Sequence, residues 1–350
     1  MNVSMHSDDR DSRLVKLAVT DPSWSNFVQQ CEGALAFHLP AWTRTLTETY
    51  RFKSFCLANR RDDGSISAGM PVVAHSRLGR HRWVSLPFTD VCPPLGDEPD
   101  VTSLLAGAEA LAAANHVRRV EIRSPAAAAA YASSRGVVHE LQLNGDADAL
   151  VKTFSKSQVQ RNIARARRAG VVVRWGECQD DLVGVFLGLH RATRRRLGVL
   201  CQPQRFFDHL WNLMIAPRHG FVLISYVRDT AAAAAVFLLG GGTVTYKFGA
   251  SDSAYWPERP NHLLFWEAIR WGCENGYRAF DFGRTDWGNE GLRAFKRGWG
   301  TTERELVYSS LGAELSPPRK ARLSVIGPVI RHTPEWVNRA VGRSLYRLAA

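Results

Sequence analysis

Thr243-Val244-Thr245-Tyr246-Lys247-Phe248-Gly249, the segment Asn261–Glu274 and Ala279-Phe280-Asp281-Phe282 together decide the fold. The first piece is β-branched and aromatic and reads as a strand. Asn261 is a good N-cap for a helix whose buried face is Leu264, Ala268 and Ile269, and Asn275-Gly276 ends it. Ala279–Phe282 is a second strand. Strand, helix and strand at this spacing make a β-α-β unit, so the two strands are expected to run parallel with a right-handed crossover. In such units ligands gather at the carboxyl ends of the strands. Asp252, Asn261 and His262 are therefore expected on one rim with Arg284.

Working outward, helices and strands alternate along the whole chain, as in an α/β protein. Helices are read at 23–34, 42–50, 101–115, 151–169, 181–197 and 205–214. Strands are read at 52–58, 65–74, 82–86, 117–123, 171–175, 221–227 and 232–239, with Gly240-Gly241-Gly242 turning into the strand at Thr243. At roughly 150 residues per domain, 350 residues give about two domains. The second half repeats the mixed pattern of the first. The expected organisation is a disordered leader at 1–13, one domain at 14–150, a second at 151–312 and a basic tail at 313–350.

Hydrophobic residues at 45% and charged residues at 22% exclude a disordered chain, a collagen and a coiled coil. The net charge of +12 sits in two places. Residues 152–174 carry seven Lys or Arg and no carboxylate, with Arg161, Arg165 and Arg168 on one face of the helix and Val159, Ile163 and Ala166 on another. Residues 313–350 carry seven cations against Glu314 and Glu335. Such patches suit a polyanionic partner. In the tail, Thr333 caps a helix with Pro334 at its first position, and its arginine face is a candidate for contact with an anionic inner membrane. The longest apolar run, Ala231–Leu239, is far short of the roughly 20 residues of a membrane span. The N-terminus resembles neither a signal nor a transit peptide, so a cytoplasmic location and reduced cysteines are expected. No C-x-x-C, H-E-x-x-H, G-x-S-x-G, P-loop or G-x-G-x-x-G occurs; no metal site is expected, and hydrolases, P-loop enzymes and Rossmann oxidoreductases are disfavoured.

The string Phe280-Asp281-Phe282-Gly283-Arg284, followed by Gly291-Leu292-Arg293-Ala294-Phe295-Lys296-Arg297-Gly298-Trp299-Gly300, resembles the signature of the Fem-type (FemAB-like) aminoacyl- and acyltransferases. Supporting stretches are His38–Trp42, Ser85–Asp90, Arg161–Ile163, Thr193–Arg195 and Tyr246–Asp252. The resemblance covers roughly residues 20–348. The last 20 residues are similar to a subgroup linked to exopolysaccharide and exosortase loci. It implies two tandem acetyltransferase-type (GNAT-like) α/β domains, with Lys296, beside Phe295, stabilising the oxyanion formed when an amine attacks an acyl carbonyl. It further implies Arg194 and Arg195 as precursor-phosphate ligands, Tyr246 in the substrate channel, Trp42, Asp252, Asn261 and Arg284 around the substrate, and a tail docked on the first domain. The implied donor is aminoacyl-tRNA, in keeping with a basic surface that would place Arg161, Arg165 and Arg168 on tRNA or substrate phosphates. An acyl-CoA or other acyl thioester stays open. The coenzyme A motif [QR]-x-x-G-x-[GA] is not met, since Arg195-Arg196-Leu197-Gly198-Val199-Leu200 ends in Leu.

Each residue has a plainer role to set beside this. Lys296 could be a solvated lysine, but it stands between Phe295 and Trp299. Asp281 is read as a candidate general base or as the ion-pair partner of Arg284, and His262 as a helix-start hydrogen-bonding residue. The expected activity is amide formation on an amino group of a peptidoglycan or exopolysaccharide precursor. The alternatives are an acetyl-CoA-dependent N-acetyltransferase acting on a small metabolite or sugar, and a non-catalytic nucleic-acid or membrane-surface adaptor.

Overall fold

The computed structural model describes residues 13–77, 80–315, 327, 330 and 331. Residues 1–12 of the expected leader and the tail helix beginning at Thr333, with the subgroup likeness of the last residues, lie outside the described residues; Arg13, the last residue of that leader, stands in a strand.

The first half contains β1 (Arg13–Leu17), α1 (Pro22–Gln30), α2 (Pro40–Tyr50), β2 (Lys53–Arg60), β3 (Ile66–Arg77), β4 (Arg80–Val84), β5 (Leu95–Gly96), α3 (Glu98–Ala114), β6 (Arg119–Ile122) and β7 (Tyr131–Gln142). The second contains α4 (Ala147–Thr153), α5 (Arg161–Arg168), β8 (Val171–Trp175), α6 (Leu187–Leu197), α7 (Gln204–Leu210), β9 (Gly220–Val227), β10 (Thr230–Gly240), β11 (Thr243–Ser251), α8 (Pro260–Glu274), β12 (Ala279–Thr285), α9 (Glu290–Arg297) and β13 (Thr302–Leu311). The helix read at 151–169 is broken: α4 stops at Thr153, and a wider π turn at Lys156–Gln160 leads into α5.

Among the described residues, all strands join one sheet in the order β1-β2-β3-β4-β6-β13-β7-β12-β11-β10-β9-β8, with β5 on β3. The two halves repeat the same pairing. β1-β2-β3-β4 and β8-β9-β10-β11 are antiparallel, and β4·β6 and β11·β12 are parallel. The last strands change places: β13 pairs with β6, and β7 pairs with β12. Each half completes its sheet with the other's final strand, and β7·β13 joins them at the centre. This is the expected mixed α/β fold of two like halves, with an exchange that a cut near residue 150 does not describe.

The halves also share a core. Trp42, Leu46 and Tyr50 of α2 pack with Phe206, Phe207 and Leu210 of α7. Trp42 is fully buried and its indole N–H donates to Thr89 Oγ1 at 3.0 Å. It holds up a loop, and it is not among the residues that line the cavity described below, where the resemblance would place it near substrate.

The parallel pair β11·β12 is short. Only Thr243–Thr245 pair with Ala279–Asp281, although both strands run on. Past that point they diverge. Side chains alternate across a strand, so Tyr246 and Lys247 face opposite sides of the sheet. The N-terminus of α8 points at the opening. Pro260 takes the first helical position, and Arg259, in a left-handed conformation (φ 60°), precedes it. Asn261 is thus inside the helix rather than its cap, because proline is pre-organised for that first position.

Candidate active site

At the opening lies a cavity of about 370 Å³. Its walls come from four places: Thr193 of α6; Tyr246, Gly249, Ala250 and Ser251 of β11; Trp256, Arg259, Pro260, Asn261, His262 and Phe265 from the approach to α8 and its first turns; and Leu292, Phe295 and Lys296 of α9. A larger cavity of about 740 Å³, lined by Trp175, Trp211, Trp271 and Tyr277 near the far end of α8, contains none of the motif residues.

Lys296 is 3% exposed. Its Nζ donates to the carbonyl of Gly283 at 2.7 Å and to that of Arg284 at 3.2 Å. The geometry comes from β12, which bulges against β7 between Asp281 and Arg284; Gly283, at φ 69°, supplies the left-handed turn that exposes these carbonyls. An ammonium has three donors. Two are used, leaving one for the cavity that Lys296 lines. Burial lowers the Lys296 pKa to about 8, and the carboxylates of Asp281 and Asp90 oppose that fall. The group is therefore still mostly cationic at neutral pH.

The exchanged strands hold α9 in place. Arg293 grips Glu303 of β13 through Nη2 at 2.6 Å and Nε at 3.1 Å, and Glu303 also meets His139 of β7 at 2.9 Å. Bidentate pairing of this kind fixes orientation as well as charge. Trp299 is fully buried among Phe154, Phe265, Phe282 and Phe295. Phe295 forms an aromatic wall against His262 and Phe265.

Tyr246 lies over Gly249, where a Cβ would sit 1.8 Å from its hydroxyl. Burial raises its pKa to about 12, so it is a neutral phenol. Burial, then Arg259, lowers the His262 pKa to about 4; the ring is neutral, with the Asn162 amide of α5 3.3 Å from Nε2.

The structure brings Lys296, Phe295, Tyr246 and Asn261 together at the cavity. The other candidates lie elsewhere. Asp281 is outside the lining, and its Oδ1 accepts from the Gly283 N–H at 2.7 Å. Burial pushes its pKa up to about 6 despite that bond. Arg284 pairs with Asp286 at 2.8 Å, not with Asp281. Asp252 caps the turn at Ala254. Arg194 Nε donates to the Leu200 carbonyl, and Arg195 Nε to the Arg331 carbonyl. The described part of the tail meets both halves: the Glu314 carbonyl accepts from Arg119 at 2.8 Å and Leu315 packs with Val138 of the first, while Gly327 lies against Gly198 of the second. Gly198 itself ends α6 at φ 69°, acting as a helix terminator rather than a phosphate cradle. Arg161, Arg165 and Arg168 are exposed on α5.

Two residues near the site stand out beyond the sequence reading, which weighed Arg196 only within the Arg194–Arg196 helix end and did not single out Lys247. Arg196 donates to the Ser251 carbonyl at 3.2 Å and lies 4.8 Å over the Trp256 ring, beside the cavity. Lys247 is half-buried on the other side of β11. Its Nζ donates to the Phe88 carbonyl at 2.7 Å and sits over Phe37 and Trp42. It thereby holds the loop Ser85–Asp90, in which Leu86 and Phe88 are left-handed at φ 65° and 59°. Non-glycine residues of this kind persist only where their surroundings enforce them. Strand alternation opposite Tyr246 was the available signal for Lys247.

Among the described residues, no group of three or more His, Cys, Asp or Glu could hold a metal ion, and no helix is long and apolar enough to cross a membrane.

The acetyltransferase (GNAT) domain family matches residues 154–297. Over 73 residues the chain is 37% identical to a lipid II:glycine glycyltransferase of Staphylococcus haemolyticus (strain JCSC1435), covering 19% of this chain and 17% of the relative. The same identity over 73 residues holds for the enzyme of that name from Staphylococcus epidermidis, of which 18% is covered. The matched segment thus spans under a fifth of these relatives' length. The crystal structure of FemX superposes with a TM-score of 0.67 at 15% identity, covering 84% of this chain and 96% of that one. The chain thus carries a GNAT-type domain, has the fold of FemX, and is similar over a short segment to Fem-type glycyltransferases. Another solved structure, the C-terminal domain of a putative lysylphosphatidylglycerol synthetase from Agrobacterium fabrum, shares the fold of this chain at a TM-score of 0.57 and 15% identity, covering 88% and 95% of the two chains.

Proposed function

We propose that this chain is a Fem-type enzyme that transfers an acyl group from an activated donor to an amino group of a phosphate-bearing cell-envelope precursor, forming an amide. The observation that carries the reading is Lys296, a cation held by two carbonyls at the wall of a cavity where parallel strands part. When the amine attacks, negative charge gathers on the acyl oxygen. A preorganised buried cation interacts with that charge more strongly than with the neutral carbonyl, which is the condition for catalysis. Tyr246, neutral to about pH 12, and His262, neutral above about pH 4, shape the site and add no second charge at neutral pH. Asp281 lies outside the cavity lining, and its carboxylate favours the protonated form of Lys296. We assign it that supporting charge rather than the role of base.

The acceptor class is carried over from the lipid II:glycine glycyltransferase relatives. The exposed face of Arg161, Arg165 and Arg168, with Arg196 nearer the cavity, suits phosphates of acceptor or donor. The setting that fits is the cytoplasm, at the inner face of the membrane where such precursors are assembled.

The test is incubation of the purified chain with a lipid II-type acceptor and a cell extract as donor source, with product detected by mass spectrometry. An acyl-modified acceptor that is absent with Lys296→Met is expected. Salt-sensitive acceptor binding with no product from either protein would instead mark a non-catalytic adaptor.

A further inference from the structure

We infer that the donor's acyl group is bulky, apolar and without a free α-amino group, delivered as a thioester; this rests on the acyl-transfer reading above. Three features of the cavity lead there. Its wall beside Lys296 is Tyr246, Phe265, Phe295 and Leu292, and its volume of about 370 Å³ is within the usual range of ligand pockets, about 300–1,000 Å³. A glycyl group, which has no side chain, would leave most of it empty. Second, Trp256 and Leu292, 46% and 37% exposed, are among the few large apolar side chains the described surface leaves open, and both line this cavity. They extend the apolar wall to its mouth.

The third feature is charge. The lining includes two cations, Lys296 and Arg259, and no Asp or Glu. The neighbouring carboxylate of Asp252 is engaged in its own turn at Ala254, and Glu258 does not line the cavity. An aminoacyl donor brings its α-ammonium next to the carbonyl that Lys296 must polarise. At an effective dielectric of about 20, two such charges about 5 Å apart disfavour binding by a factor on the order of 100. Asp281 and Asp90, which lie outside the lining but act on Lys296, offset only part of this. A fatty-type acyl group carries no such charge and covers the aromatic wall. Arg259 and Arg196 remain at the mouth for the phosphates of a phosphopantetheine-type carrier.

The step is balanced by the carrier. The acceptor nitrogen forms a bond to the acyl carbon while the carbon–sulfur bond breaks. The sulfur leaves as a thiol after taking up the proton that the nitrogen loses, and the products are an amide and the free carrier thiol.

The experiment offers the full chain acetyl-, octanoyl- and dodecanoyl-CoA, dodecanoyl-carrier protein, and glycyl- and leucyl-tRNA. Binding is read by calorimetry, and transfer to a lipid II-type acceptor by mass spectrometry. Affinity is expected to rise by up to about fourfold per added methylene. The gradient should flatten in Leu292→Asp, a rim change that leaves the core intact. Tighter binding of the carrier-protein form would identify that carrier as the source, and equal binding would identify free coenzyme A. Glycyl or leucyl transfer from tRNA in preference to the thioesters, or equal binding of acetyl and dodecanoyl forms, overturns the inference. The first of these results would leave the acyl-transfer reading standing. Tight dodecanoyl binding without any transfer would uphold the cavity's preference and refute the transferase reading.

Discussion

Gly249→Ala separates the shape of the cavity from its chemistry. The new Cβ would stand 1.8 Å from the Tyr246 hydroxyl, 2.7 Å from Cζ and 3.0 Å from Cε2, where ordinary contact begins at 3.4 Å. The phenol must therefore move by about 1.6 Å at its tip, and the cavity is the open space it lines. Lys296 and the carbonyls that hold it are untouched. Overpacking of this kind costs about 1–3 kcal/mol of stability. A displacement of about 1 Å near a reacting group costs about a hundredfold in rate. The expected result is a folded protein with a slightly lower Tm, and kcat/KM lowered about a hundredfold for a dodecanoyl donor but much less for an acetyl donor. The assay is a donor-length series with wild type and variant, alongside thermal unfolding. Equal losses for long and short donors, or no loss for either, would refute the placement of the acyl chain against Tyr246.

Other substitutions test the roles assigned away from the cavity. Trp42→Ala should cost about 3–5 kcal/mol in denaturant unfolding, because it empties a shared core and frees the Ser85–Asp90 loop; a loss of substrate affinity at unchanged stability would return Trp42 to the site. Arg196→Gln should raise the donor KM about tenfold while Arg194→Gln, whose partner is the Leu200 carbonyl, alters stability alone; the reverse pattern would exchange their roles. His38 is buried, accepts from the Leu35 N–H at Nδ1 and meets the Pro93 carbonyl at Nε2, and burial lowers its pKa to about 4. The unfolded chain takes up this proton near pH 6.5 and the folded one only near 4, so stability falls as pH drops through that window, by about 3 kcal/mol at its end. Denaturation of His38→Gln from pH 7 to 4 should show a correspondingly shallower decline.

The β-α-β unit was legible because its signals are local: a β-branched strand, an amphipathic helix and an Asn275-Gly276 stop. β7 was not. Its sequence follows an alanine run and mixes small with polar residues, and what makes it a strand is pairing with β12 and β13, more than a hundred residues away. The exchange of final strands was hidden for the same reason. Phe295 and Lys296 of the motif line the cavity. The motif could not separate residues that face a ligand from those that hold the frame. Trp42, Arg194 and Arg284 point into hydrogen bonds with neighbouring loops, and only the tertiary structure shows which way a side chain turns. Lys247 escaped notice because its partners, Phe37 and Trp42, are contributed by the other half of the chain.

The most direct measurement is kcat against pH at saturating donor and acceptor, for wild type and Lys296→Met. The folded-state pKa of Lys296 is depressed to about 8, so the cation that meets the oxyanion is present below that pH and lost above it. Wild-type kcat should fall as pH rises through about 8. Lys296→Met should lose about 3 kcal/mol of transition-state stabilisation, at least a hundredfold in kcat, and show no such limb. A wild-type profile flat to pH 9.5, or a Lys296→Met enzyme within threefold of wild type at pH 7, would contradict a role for this lysine in the chemical step.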